Sequence, residues 1–516
     1  MELADYIGAK LVLGIHGTAA TPEIIEQFKR LRAGGLILYR RNFVSPAQVR
    51  QLLVDLEEAL GRRLLVCVDH EGGRVIMFRE GVTIFPDNLA VGTAGQIAYA
   101  RRQGEIEAKE LRRLGVDVNL APVLDVLTDA YSPNIGIRSY GQDSHKVAAL
   151  GAARIAAMQA GGLSACAKHF PGKGHAPVDA HLGLPVILST WEEMAAVHLP
   201  PFQAAIQAGV DLIMSSHPSY PNLDPGPKQI ATFSRRLIHD LLRRELGYTG
   251  IICSDDLEMG AIGATCPIGE AGVRATQAGH DLLLICHTPS AQREVHRQLL
   301  EAYQRRELSW KELEESVARV RALTAKRQDR FAPGTLRPEP DGPALAELIC
   351  RQAVRILQDQ KGLLPLTPRF SRVGIIFPRL AELADRITIE REMLAPAEFF
   401  QAEIGVSGLQ PEILLVGMEP DEGDLLAARQ LASRAELVLL FCYDAHLFPS
   451  NRALLEQVQA VASRLVVVLL RDPYDQQFLA PATTVVTAFG WRVCQLRAVV
   501  AAITGRLGER DGRREP

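Results

Sequence analysis

The sequence predicts an α/β protein in two parts, an N-terminal (β/α)8 barrel of TIM type followed by a smaller, doubly wound α/β/α sandwich. Three observations carry this. Eight short apolar runs alternate with amphipathic segments through residue 330, as strands alternate with covering helices. A Pro/Gly-rich charged stretch, FAPGTLRPEPDGPA from Phe331, then breaks the apolar period. Beyond it come five near-continuous apolar runs, the pattern of parallel strands buried on both faces. A chain of 516 residues also exceeds what one core sustains. The expected division is a barrel over 1–330, a linker over 331–345 and a second domain over 346–516.

The elements follow in order. LVLGIHG from Leu11 and GLILY from Gly35 are short, apolar and glycine-flanked, as buried strands are. SPAQVRQLLVDLEEAL opens on Ser45-Pro46, a helix start, and repeats apolar residues at helical spacing. LLVCVDHEGG from Leu64 runs into charge at Asp69, and VNLAPVLDV from Val118 into Asp125. ACAKHF from Ala165 ends on Lys168 and His169. LIMSSH from Leu212 reaches His217, and the helix SRRLIHDLLRRELG after it closes on Gly247. GIICSDD from Gly250 ends in carboxylates, and LLLIC from Leu282 completes eight strands. Catalytic groups of such barrels sit at strand C-termini. Asp69, Asp125, Lys168, His169, His217 and Asp255 all fall there. In the second part VGIIFP, ILLVGM, LVLLFCYD, LVVVLLRDP and TTVVTAFG are the five strands, with no GxGxxG or P-loop among them, so no nucleotide motif is present.

Composition narrows the function. Net charge is -3 and the pI about 6.5, so no global field draws nucleic acid or an anionic membrane. No stretch approaches the ~20 apolar residues of a membrane span. The N-terminal MELADYIGAKLVLGIHG lacks a signal-peptide pattern, and eight scattered cysteines without a CxxC pair read as buried free thiols. The expectation is a cytoplasmic protein without cofactor or metal.

The chemistry concentrates in KHFPGKGHAPVDAHLGLP, Lys168 to Pro185, a loop of titratable groups punctuated by glycine and proline. Asp179 and His181 lie two apart, so that in an extended loop the carboxylate holds one ring nitrogen while the other faces a substrate. The opposed reading, a capping Asp and a solvent-facing His, stays open. Asp255 suits a nucleophile or charge stabiliser, and alternation turns Asp256 to the other side. His169, His175, His181, Asp255 and Asp256 include metal-ligating types but lack HxH or HExxH spacing. Lys168 and His169 are read as ligands for hydroxyls or an anion. In VDHEGGRV, Asp69 is the candidate substrate contact, while Glu71 and Arg74 could form either a salt-bridged turn or part of the site.

With these residues in view, the chain resembles glycoside hydrolase family 3, within it the β-N-acetylglucosaminidases acting on peptidoglycan fragments. VDHEGGRV, NLAPVLDV, IGIRSYG, KHFPGKG…VDAH, MSSHPSYPNLD and SDDLEM carry the resemblance, and AVRILQDQKGLLPL from Ala353 resembles the opening of the family's α/β/α domain. The resemblance implies a retaining exo-β-N-acetylglucosaminidase with Asp255 as nucleophile and His181, oriented by Asp179, as acid/base. It implies sugar contacts by Asp69, Arg138, Lys168 and His169, and a carbohydrate or muropeptide substrate from peptidoglycan or chitin. Another sugar specificity, or phosphate replacing water, is the alternative; a silent sugar-binding protein is disfavoured by the intact residue set. Departures are Lys173 for a common His, Ala180 for a common Ser, and Met77 where relatives place an arginine, with Arg79 a substitute if alternation holds.

Overall fold

The computed structural model describes residues 2–128, 132–175, 184–226, 229–326, 329–368 and 370–508. They form two compact units, one of residues 1–71, 75–83 and 95–342, the other of 72–74, 84–94 and 343–516.

The first unit is a closed barrel of eight parallel strands in sequential order. They are β1 (Leu11–Gly14), β2 (Gly35–Leu38), β3 (Leu65–Val68), β4 (Val118–Asn119), β5 (Ser164–Phe170), β6 (Leu212–Ser215), β7 (Ile251–Asp256) and β8 (Leu282–Ile285). Alternation decides what fills the interior. Val12, Ile37, Leu65, Cys67, Val118, Cys166, Leu212, Met214, Ile251, Cys253, Leu282 and Leu284 form one buried cluster, joined by Val320 and Leu323 of the helix Trp310–Ala325. The expected Ser-Pro helix start is present. Ser45 accepts a hydrogen bond from Gln48 N at 3.2 Å, and the helix Pro46–Leu60 ends on Gly61 in the left-handed region. Residues 331–341, read as linker, lie on this unit. Glu339 pairs with Arg113 at 2.6 Å and Lys109 at 3.1 Å, and Asp341 pairs with Arg102 at 2.7 Å.

The second unit is a six-stranded sheet of β9 (Arg355–Gln358), β10 (Val373–Pro378), β11 (Pro411–Val416), β12 (Leu437–Cys442), β13 (Leu465–Leu469) and β14 (Thr484–Thr487). Their order is β11-β10-β12-β13-β14-β9. The five expected strands are the parallel ones; β9 runs antiparallel to β14 at the edge and makes the sheet mixed. Consecutive residues serve opposite faces. Ile376 and Leu440 pack with the helices Glu422–Arg434 and Pro449–Val461, while Phe377 and Phe441 meet Phe400 of the helix Pro396–Gly405. All eight cysteines of the chain are buried free thiols.

Candidate active site

The site is built where the inward rows of the barrel strands leave the apolar interior. Leu65 and Cys67 lead to Asp69, and Cys166 leads to Lys168. Two irregularities then depart from strict alternation. β5 pairs Lys168 with Met214 but Phe170 with Ser215, and β7 pairs Cys253 with Leu282 but Asp256 with Leu284. One extra residue in each strand lets neighbouring polar side chains be aimed separately, the usual work of a bulge beside a site.

Lys168 Nζ lies 2.6 Å from Asp69 Oδ1 and 2.6 Å from Glu71 Oε1. Arg138 grips Glu71 with two donors at 2.8 and 2.7 Å, and its third nitrogen donates to Asn134. Glu71 therefore joins Lys168 and Arg138 into one network. Burial pushes the Glu71 carboxyl up, but the Arg138 and Lys168 charges override it and hold Glu71 well below the usual carboxylate range. The main chain is clamped as well: Asn119 Nδ2 donates to His70 O at 2.9 Å, His70 N donates back at 3.0 Å, and buried Arg154 donates to Glu71 O at 2.7 Å.

His169 turns the other way, its Nδ1 2.7 Å from Asp125 Oδ2. Asp125 is fully buried and also accepts from Lys173 N at 2.6 Å. Burial pushes Asp125 up to about 6, and His169 well below its ordinary value, so Nδ1–H donates to the carboxylate and Nε2 is left as an acceptor. Lys173 Nζ comes 3.8 Å from Asp255 Oδ2.

The adjacent carboxylates of β7 have different surroundings. Asp256 Oδ1 accepts from Glu258 N and Cys286 N, and its Oδ2 lies 3.2 Å from His287 Nε2. Arg41 donates to His287 Nδ1 at 3.0 Å, which puts the ring proton on Nε2. Asp255 keeps a side chain 19% exposed and accepts only Asp256 N at 2.9 Å among the hydrogen bonds of the described residues. Burial raises its pKa, yet the Lys173 charge above all, with that of Lys168, opposes burial and its pKa lies below the ordinary range. His217 is itself fixed, with Nε2 donating to Asp256 O at 3.0 Å and Nδ1 2.8 Å from Thr232 Oγ1.

Residues 9–323 match the family model of the glycosyl hydrolase family 3 N-terminal domain. The chain belongs to glycoside hydrolase family 3. This family 3 glycoside hydrolase is 36% identical over 287 residues to a β-hexosaminidase of Methylobacillus flagellatus, covering 54% of this chain and 80% of that protein. It is 35% identical over 292 residues to a β-hexosaminidase of Stenotrophomonas maltophilia, covering 55% and 86%. Among solved structures, the family 3 β-N-acetylglucosaminidase from Paenibacillus sp. str. FPU-7 superposes with a TM-score of 0.91 at 31% identity, over 98% of this chain and 97% of that one.

In this family 3 hydrolase the barrel thus links Asp69, Lys168, Glu71 and Arg138 through ion pairs, while His169 is held separately on Asp125 and Asp255 is coupled electrostatically to Lys168. Asp179 and His181 lie outside the described residues, as does Ala180. Residues 76–79 form no strand, so alternation does not govern Met77 and Arg79; Met77 N donates to His70 Nδ1, and Arg79 is exposed. Among the described residues no three His, Cys, Asp or Glu side chains are grouped to hold a metal ion, and no helix is long and apolar enough to cross a membrane. Sequence reasoning left Glu71 undecided and gave Asp125 and Lys173 no role. Strand-end position did mark Asp125, without indicating what it holds, whereas Glu71 meets Arg138 across 67 residues and no local signal marks that pairing.

Proposed function

We propose that the protein is a retaining exo-β-N-acetylglucosaminidase that removes terminal GlcNAc from peptidoglycan-derived or chitin-type fragments. The observation carrying this is Asp255, a carboxylate at the barrel mouth that faces the Lys173 ammonium at 3.8 Å and is held ionised by it and by Lys168 despite its burial. Asp255 attacks the anomeric carbon as the bond to the aglycone oxygen breaks, and protonated His181, oriented by Asp179, gives that oxygen its proton. Water then gives His181 a proton and attacks the same carbon, and the ester electrons return to Asp255. Asp69, Arg138, Lys168 and His169 Nε2 supply acceptors and donors for the sugar hydroxyls. The β-hexosaminidase and β-N-acetylglucosaminidase names of the similar proteins support the acetamido sugar. The eight free thiols suit a reducing compartment, and we take the cytoplasm as the place of action.

Nitrophenyl β-glycosides of GlcNAc, glucose and xylose, each assayed with and without phosphate, test the reading. The GlcNAc substrate is expected to lead in kcat/KM by about 10²-fold or more, since a site built for a hydrogen-bonding substituent rejects sugars lacking it. Equal rates on glucose would overturn the specificity, and GlcNAc 1-phosphate as product would replace hydrolysis by phosphorolysis.

A further inference from the structure

We propose that Lys173 is a positioning residue for Asp255, its ammonium holding the carboxylate in place and ionised for attack and stabilising it as the leaving group when the glycosyl ester breaks. The inference rests on Asp255 being the nucleophile. Lys173 is only 3% exposed, and a buried ammonium is costly unless an anion answers it. Asp255 Oδ2, at 3.8 Å, is that anion. The other nearby cations are engaged elsewhere, Lys168 with Asp69 and Glu71, Arg138 with Glu71. The main chain around Lys173 is fixed on both sides. Lys173 N donates to Asp125 Oδ1, Gly172 has φ +122°, and a Cβ on Gly174 would meet Val126 O at 1.8 Å.

The chemical consequence lies in the charge of the intermediate. When Asp255 bonds to the anomeric carbon and the aglycone leaves with the His181 proton, the carboxylate becomes a neutral ester and Lys173 loses its counter-charge. When water adds to that carbon and the carbon–Oδ bond breaks, the electron pair returns to Asp255 beside the ammonium. The second step thereby gains what the first gave up, so the intermediate does not accumulate. Removing the charge slows ester cleavage more than ester formation.

The groups around Asp255 are Lys173, His217, Lys168, Asp69 and the Asp256 amide; those around Lys173 are Asp255, Arg138, Asp125 and Lys168. Without Lys173 the balance at Asp255 moves toward the protonated acid. The test measures kcat/KM against pH, and the pre-steady-state release of nitrophenol from the GlcNAc glycoside, in full-length Lys173→Met, Lys173→Gln and Lys173→Arg. The two neutral variants are expected to move the acid limb upward by about one pH unit, as an opposite charge near a carboxylate does in reverse. They should also show a burst followed by slower turnover. Lys173→Arg should restore the limb. Two neutral variants whose activity falls uniformly across pH, with the limb unmoved and no burst, would overturn the proposal. So would arginine failing to restore a limb that both had moved. Peptide mapping of wild type after inactivation with a 5-fluoro GlcNAc glycoside separates the two readings, because a label away from Asp255 removes the nucleophile assignment itself, whereas a label on Asp255 with an unmoved limb removes only the Lys173 role.

Discussion

Glu71 bears most of the charge organisation in the barrel mouth. Its buried carboxylate answers two cations at once, and breaking such a pair leaves uncompensated charge inside the protein. Glu71→Gln is expected to lower unfolding free energy by about 3 kcal/mol at neutral pH, read from urea denaturation, and to reduce activity by freeing Lys168 from its position. The acid side has a definite sign. The folded-state pKa of Glu71 is depressed, so its stabilisation is complete above the ordinary glutamate pKa of about 4.3 and is lost as pH falls toward the depressed value. The gap between wild type and variant should close in acid; a gap that widens there would contradict the assignment. At this scale the sequence showed which residues end strands, because a charge after an apolar run is visible locally. It did not show partners, since Lys168 meets Asp69 across 99 positions and both β5 and β7 carry an extra residue that alternation does not foresee.

The decisive element is the segment after β5, where glycine is required by space as well as by conformation. Gly174 lies against Val126 O, and Thr128 N donates to Gly174 O at 3.2 Å, so the segment is laced to residues 126–128. Gly174→Ala forces this backbone apart and displaces Lys173 from Asp255. The expected cost is ~1–3 kcal/mol, as for overpacking at a close contact, with at least a proportionate loss of turnover; thermal unfolding and the aryl glycoside assay read both. Unchanged stability would mean that the close approach is not needed. Most elements were legible because the barrel's inner rows and the parallel core of the second unit are continuously apolar. β4 was overestimated: it is two residues long, for Ala121-Pro122 follows at once and proline cannot donate to a ladder. β9 went unread because Arg355–Gln358 is a four-residue, half-exposed edge strand with only two apolar residues between polar ends.

At the scale of the molecule, compositional change marked the boundary only approximately. Residues 331–341 have linker composition but are fixed by ion pairs to the helix Ile97–Arg113, and compactness divides the chain at Gly342. Residues 72–74 and 84–94 group with the second unit, where Arg492 Nε donates to Gly73 O at 2.7 Å and Arg355 to Thr93 O at 2.9 Å. Contacts of that sequence separation leave no trace in local pattern. Asp69, Arg138, Lys168, His169 and Asp255 all belong to the first unit, whereas Arg74 groups with the second. The central claim is that Asp255, and not its neighbour, forms the covalent intermediate. Mass mapping of the full-length protein after inactivation by a 5-fluoro GlcNAc glycoside tests it most directly. The account predicts one glycosyl adduct, on Asp255; an adduct on Asp256, or turnover with no adduct under any trapping condition, would contradict it.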